Sequence, residues 1–299
     1  MTAPDNVIQF GRRVLRGFSQ CAFQANEITG ALFTAAVAVF NWRMAIFYVI
    51  SGVIATIVAR ALNGNKELLD LGLYQFNSAL MGLALGNFLQ PNAMLWVAVA
   101  VLAAITAALT VAWSKRTQLP FLAAPFILVL WAVWPFAEYL GLAKVTFGAF
   151  ADAPLVWGAA AISTFGSALF APSVLSGLLF LVGLLISNWR HAIVAALGAV
   201  TAIALAEQAG APGTAINSGF IGFNGVLAAL AAYIIVAADL RLVALGALLS
   251  TWLASYVYRG APVPVLASGF VLAVWLMLFL GWANPRLAGK AVQENELTG

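Results

Sequence analysis

Apolar residues run in long blocks along this chain, separated by short clusters of polar residues and prolines. The blocks cover 28–40, 44–62, 73–89, 93–113, 121–140, 175–187, 190–206, 220–237, 239–258 and 264–282. Breaks fall at Asn41-Trp42-Arg43, at Asn63-Gly64-Asn65-Lys66-Glu67, at Gln90-Pro91-Asn92 and at Lys115-Arg116. A mixed stretch over 141–165 holds Lys144, Asp152 and Pro154. A helix needs about 20 apolar residues to cross a bilayer, so the pattern predicts roughly ten helical spans, several of them short. The first twenty-odd residues differ. Arg12, Arg13 and Arg16 lead into polar Ser19, Gln20 and Gln24, which predicts an amphipathic helix lying at the membrane surface rather than a cleaved leader.

The block pattern repeats. At an offset of 147, Phe23 falls on Phe170, Gly30 on Gly177, Phe33 on Phe180 and Asn41-Trp42-Arg43 on Asn188-Trp189-Arg190. The same offset carries Gly72, Phe76, Asn77, Leu80 and Leu83 onto Gly219, Phe223, Asn224, Leu227 and Leu230. Later the offset becomes 144, placing Pro120, Phe126 and Trp131 on Pro264, Phe270 and Trp275. The chain therefore reads as two homologous halves. Five spans per half is an odd number, so tandem halves sit in opposite orientations, the plan of transporters whose sites lie near the bilayer midplane. A duplicated scaffold without a pathway is the alternative at this point.

Composition agrees with a membrane protein. Of 299 residues, 64% are apolar and 8% charged, with a mean hydropathy of +1.00. A soluble domain carries about 25% charged residues, so a soluble enzyme, a disordered chain and a nucleic-acid binder are excluded. The net charge of +4 is too small for a phosphate-binding stripe. Cys21 is the single cysteine and His191 the single histidine, which excludes an intramolecular disulfide and any multi-cysteine metal site. No H-E-x-x-H, G-x-S-x-G or P-loop pattern occurs. No catalytic residue, cofactor or metal is expected.

Polar side chains inside apolar stretches are either satisfied or functional, because an unpaired one is costly there. Gln20 and Phe23 share one helical face at i, i+3, and Ser167 and Phe170 are their counterparts. Two such faces make a narrow slot with aromatic walls and a hydrogen-bonding group beside each, suited to a flat, neutral, polar molecule. Gly72 to Leu80 and Gly219 to Leu227 each precede a short apolar helix, the sequence mark of half-helices around a central site. Asn77 and Asn224 are read there as binding free backbone groups, and Leu80 and Leu227 as facing the path or packing in the core. Pro120 and Pro264 break a helical ladder and free carbonyl oxygens that NH₂ groups could use, unless they are ordinary kinks. The acidic residues Glu27, Glu138, Glu207 and Asp239 have no basic partner at relay spacing and read as interfacial.

Taken together, these motifs resemble the urea transporter family over about residues 16–282. The family pattern of a Gln-x-x-Phe element, an Asn-Pro-x-Ser/Thr-Gly stretch, a Gly-Tyr/Phe-Asn-x-x-Leu stretch and a Leu-Pro-x-x-Thr-x-Pro-Phe stretch appears here in order and twice. Its first elements are Gln20-Cys21-Ala22-Phe23 and Asn26-Glu27-Ile28-Thr29-Gly30, then Ser167-Ala168-Leu169-Phe170 and Leu175-Ser176-Gly177. The resemblance implies an all-α integral membrane protein of two inverted repeats, each of five transmembrane helices with re-entrant half-helices. It also implies a homotrimer with one central pore per protomer. Urea would pass between stacked phenylalanines, with Phe23 and Phe170 as the slot and Gln20 bonding it near one mouth. The departures are Ser167 in place of a second Gln or Glu, and Ala123 and Ala267 in place of the pore-centre Thr. The family's Asn-Pro is Asn26-Glu27 here, with no match at Ser173-Val174, Gln75 replaces a Gly, and Gly269 replaces a Pro. They leave a larger or less polar amide as a credible solute.

The expected organisation is an amphipathic segment at 1–22, a first repeat at 23–145, a linker and pre-span segment at 146–169, a second repeat at 170–283 and a polar tail at 284–299. The expected activity is passive conduction of urea or a related small amide across a bacterial inner membrane, with Gln20, Phe23, Ser167 and Phe170 binding the solute. Leu80, Leu227, Ala123 and Ala267 would line the pore, and the partners would be the solute, membrane lipid and two further copies of the chain, without nucleic acid. The alternatives are an ion-coupled secondary transporter of another small solute and a non-transporting receptor, scaffold or membrane enzyme. Arg12, Arg13, Arg16, Arg286 and Lys290 favour both termini on the cytoplasmic side.

Overall fold

The computed structural model describes residues 7–260 and 262–283, so the predicted tail at 284–299, with Arg286 and Lys290, lies outside the described residues. The chain is nearly all helical; among the described residues the one β-type pairing is the isolated bridge between Leu89 and Lys144. The first half holds α1 (Val7–Ser19) with a tight turn at Gln20–Ala22, α2 (Glu27–Phe40), α3 (Trp42–Ala61) and α4 (Lys66–Asp70). It continues with α5 (Gln75–Phe88), α6 (Ala93–Arg116) and α7 (Ala124–Val133). The second holds α8 (Trp157–Ser167), α9 (Val174–Ser187), α10 (Trp189–Gln208), α11 (Gly213–Asn217), α12 (Phe223–Ala231), α13 (Leu240–Gly260) and α14 (Ser268–Ala283).

The helix boundaries obey the offsets read from the sequence. α2, α3 and α4 begin and end 147 residues before α9, α10 and α11, and α7 begins 144 before α14. The local causes recur too. The Asn26 side chain caps α2 by accepting from the Thr29 amide, and Ser173 caps α9 by accepting from Ser176. Ser173 thus does in the second half what the missing Asn does in the first. Asn41 and Asn188, read in the sequence as loop breaks, are the caps of α3 and α10.

Packing is duplicated in the same way. α3 lies on α5 and α6 as α10 lies on α12 and α13; α1 lies on α2 as α8 lies on α9; and α2 meets α9 between the halves. At that meeting Phe33 stacks on Phe180 with centroids 4.2 Å apart and planes 6° apart. Thr29 Oγ1 donates to the Gly183 carbonyl at 2.8 Å, and Ser176 Oγ donates to the Ala36 carbonyl at 2.7 Å. These two bonds exchange positions under the 147 offset, so the contact is self-complementary. Gly30 and Gly177 permit close backbone approaches: a Cβ at Gly30 would run into the Leu15 carbonyl, and one at Gly177 into the Ile162 carbonyl.

Among the described residues three helices, α3, α6 and α10, are long and apolar enough to cross a membrane, and a fourth span results if α1 with its turn and α2, bent by 72° at their junction, count as one. The remaining apolar helices are shorter, at 10–17 residues. Length alone therefore supports fewer full spans than the ten apolar blocks predict.

α1 packs one face on α2, α3 and α5, where Arg13 is only 3% exposed with Nε 2.6 Å from Asp70 Oδ1, while Val7 and Ile8 stay exposed. One expectation changes here: Glu27 has basic partners. Arg16 reaches its Oε1 at 3.0 Å and Arg12 at 3.6 Å, from one and two turns before the break. Because Arg13 and Arg16 are held by carboxylates, they weigh less in setting orientation than free cations would. Within the stretch predicted as a linker, α8 forms and occupies the place that α1 holds in the first half.

Candidate functional site

Both halves break their helices at the same places, and the breaks face each other. The turn after α1 ends at Phe23 with φ 61, and its counterpart ends at Phe170 with φ 56. Ahead of α7 and α14, Leu122 has φ 45 and Leu266 φ 52. Among the described residues Asn63 is the one other non-glycine at positive φ. A bulky L-residue in this region costs on the order of 1–2 kcal/mol and persists only where its surroundings over-determine it. Such outliers gather at functional sites.

What holds them is visible on both sides. Asn77 Nδ2 donates to the Leu122 carbonyl at 2.9 Å, and its Oδ1 accepts from the Phe126 amide at 3.2 Å. Asn224 does the same with the Leu266 carbonyl at 3.1 Å and the Phe270 amide at 2.9 Å. Each asparagine thus satisfies the strained carbonyl and an orphan N–H in the first turn of the following helix. Across the halves, Trp131 Nε1 donates to the Pro264 carbonyl and Trp275 Nε1 to the Pro120 carbonyl, both at 2.8 Å. The carbonyls of these two prolines thus each carry a donor from the opposite half.

Between these breaks lies a narrow cavity with about 20 Å³ of room for the centre of a water-sized sphere, roughly one water molecule. The first half contributes Gln20, Cys21 and Phe23, then Phe76 and Leu80, then Leu122, Ala123 and Phe126. The second contributes Ala168 and Phe170, then Phe223 and Leu227, then Ala267 and Phe270. Phe23, Phe170, Gln20, Leu80, Leu227, Ala123 and Ala267, singled out in the sequence, are thus brought to one place. Ser167 is not: it lies beside the lining, and its Oγ donates to the Ser218 carbonyl at 2.7 Å. Gln20 Nε2 makes the matching bond to the Leu71 carbonyl at 2.9 Å, which leaves Oε1 without a partner among the described residues.

The aromatic arrangement is richer than one facing pair. Phe23 meets Phe270 edge-on at 5.9 Å, and Phe170 meets Phe126 edge-on at 6.4 Å, each across the two halves. A direct Phe23–Phe170 stack is not among the described ring contacts. Phe76, Phe126, Phe223 and Phe270 also line the cavity, and the sequence signal for them was their recurrence at the two offsets. Cys21 carried no such signal, since its counterpart is Ala168. Its Sγ lies 3.4 Å from the Tyr48 hydroxyl, which donates to the Phe18 carbonyl at 3.0 Å. No charged side chain lines the cavity, and no group of His, Cys, Asp or Glu able to hold a metal occurs among the described residues. His191 lies in the first turn of α10, its Nδ1 against the Gln24 amide at 3.1 Å, and is outside the lining.

A cavity of this kind excludes charge and hydration, because burying an unpaired ion or a hydrated solute's polar groups there is costly. Its walls are phenylalanine rings, leucines and alanines, and Gln20 Oε1 is the one side-chain amide oxygen in the lining.

The family model described as "UT: Urea transporter" matches residues 12–282. Among curated proteins, Urea transporter 1 of Rattus norvegicus is 26% identical over 250 residues, covering 75% of this chain and 63% of that protein. Urea transporter 1 of Ovis aries is 26% identical over 248 residues with the same coverage. Urea transporter 1 of Mus musculus is 30% identical over 90 residues, 30% of this chain. The chain thus matches about 63% of the length of the first two relatives.

Proposed function

Since the chain belongs to the urea transporter family, we propose that it is a passive transmembrane channel for urea or a closely related small neutral amide. The observation that carries this reading is the cavity bounded by Phe23, Phe126, Phe170 and Phe270, at which both halves break. In this reading the two halves are inverted repeats, each of five membrane-crossing or re-entrant segments, and the cavity is the narrowest part of a pore through each protomer. The solute sheds its water at a mouth, gives an N–H to Gln20 Oε1 and slides edge-first between the rings. Leu80, Leu227, Ala123 and Ala267 provide smooth apolar walls, and Ser167 braces its own mouth rather than binding solute. The protein sits in a cell membrane, a bacterial inner membrane in this reading, as a homotrimer.

Passive conduction is favoured over ion coupling because the lining contains no carboxylate, histidine or basic side chain with which to bind a coupling ion. The test is stopped-flow urea flux in proteoliposomes without an ion gradient. Flux well above that of protein-free liposomes, insensitive to an uncoupler and altered by Phe23→Ala or Phe170→Ala, is the expected result. Flux equal to protein-free liposomes for urea and for simple amides ends the proposal. Uptake that collapses with an uncoupler or on sodium removal replaces it with a coupled transporter.

A further inference from the structure

The polar side chains of the cavity are all on one side. Gln20 and Cys21 are the polar side chains in its lining, they are adjacent, and both come from the first half. At the 147 offset stand Ser167, whose hydroxyl is committed to the Ser218 carbonyl, and Ala168. Gln20 is 9% exposed and its amide nitrogen is committed to the Leu71 carbonyl, so its Oε1 is the one uncommitted acceptor that a side chain amide presents there. The Leu122 carbonyl is already held by Asn77. Beyond Gln20 and Cys21 the lining side chains are phenylalanine rings, leucines and alanines, with Ala123 and Ala267 paired at the 144 offset.

From this one-sided supply we infer that the cavity selects among amides by the number of N–H groups they carry, favouring a monoamide with one NH₂ and a short apolar group over urea. The inference rests on the channel reading above. A monoamide such as acetamide gives one N–H to Gln20 Oε1 and lays its methyl against the rings. Urea brings a second NH₂ to a wall that supplies no further side-chain amide or hydroxyl acceptor for it. An N–H left without an acceptor in an apolar site slows passage about tenfold, or about 1.4 kcal/mol by the tenfold rule.

The experiment is stopped-flow flux through the wild-type protein in liposomes with acetamide, methylurea and urea, each corrected for protein-free liposomes. These probes carry two, three and four N–H bonds, so the expected rate order is acetamide, then methylurea, then urea, with acetamide about tenfold or more above urea. A double variant, Ala123→Thr with Ala267→Thr, supplies hydroxyl acceptors and should bring the acetamide-to-urea ratio down about tenfold. The wild-type series stands whether or not the variant folds. Urea conducted fastest by the wild type overturns the inference and leaves the channel reading in place. No amide flux above protein-free liposomes overturns both.

Discussion

The two halves of this chain share a skeleton and differ in the chemistry they present to the cavity. Skeleton features recur almost bond for bond: Asn77 and Asn224 hold Leu122 and Leu266, Trp131 and Trp275 hold the opposite prolines, and Thr29 and Ser176 exchange bonds across α2 and α9. The rings, leucines and alanines of the lining recur, but its polar side chains do not: Gln20 and Cys21 correspond at the offset to Ser167 and Ala168, and only the first pair brings polar side chains to the lining. The helices behind the lining differ as well. α5 runs unbroken to Phe88, whereas α12 ends at Ala231 and its continuation widens so that the Ala237 amide bonds the Ala232 carbonyl at 2.9 Å. Groups that close the chain's own hydrogen bonds must be kept in both copies, because an unsatisfied backbone group in an apolar surrounding costs the same on either side. Groups that meet the solute are free to diverge.

The strongest way to break this comparison is at the shared skeleton. Gly30→Ala and Gly177→Ala each push a methyl into a backbone carbonyl that has no flexible end to move aside. Each should destabilise the protein by about 3 kcal/mol or more, and equally in the two halves, read as lost monodispersity in detergent and lowered Tm. A well-folded Gly177→Ala beside a collapsed Gly30→Ala would show that the halves do not bear the same load. Next in size are Asn77→Leu and Asn224→Leu. Each strands a buried carbonyl and a buried N–H and releases a leucine held at positive φ, for about 2 kcal/mol of stability and a fall in flux. Equal losses are expected here too.

The lining should answer differently. Gln20→Leu removes the uncommitted Oε1 and should lower urea flux about tenfold while leaving Tm within a few degrees. Ser167→Ala removes a hydroxyl that faces Ser218 and should lower flux less than threefold, its main effect being the lost bond of about 1 kcal/mol. If Ser167→Ala costs as much flux as Gln20→Leu, the mouths are equivalent and the asymmetry is only in their geometry.

How much of this was legible beforehand follows the same division. Repetition made the skeleton readable: Phe23 with Phe170, Asn77 with Asn224 and Pro120 with Pro264 announce themselves by a fixed offset, and the structure sets each pair in matching surroundings. Features without a copy were hidden. Cys21 lines the cavity with no partner at the offset, and α1 looks like a surface helix because its three arginines read as free charges. Arg12 and Arg16 find Glu27 across the helix break, and Arg13's partner is remote in sequence: Asp70 is 57 residues away, and no local pattern connects the two. Ser167 was misplaced for the opposite reason. Its offset to Gln20 is real, but a short side chain there reaches Ser218 and stops, while the longer one bonds Leu71 and still presents an oxygen to the cavity.

The smallest effect sharpens the comparison most, because it concerns a pair that is alike in bonding and unlike in packing. Trp131→Phe and Trp275→Phe each delete one indole N–H and leave a proline carbonyl of the opposite half without that donor. On hydrogen bonding alone both should cost about 1 kcal/mol. Trp275 also stacks on Trp113, with centroids 5.7 Å apart and planes 22° apart, whereas Trp131 has no described ring contact of that kind. Offset stacking adds about 0.5–1.5 kcal/mol, part of which a phenylalanine retains. Trp275→Phe should therefore lower Tm slightly more than Trp131→Phe. A Trp113→Leu background should bring the two together, since it removes the stack and leaves both proline bonds. If the gap survives Trp113→Leu, the difference lies in the bonds themselves, and the skeleton is less symmetric than its distances indicate.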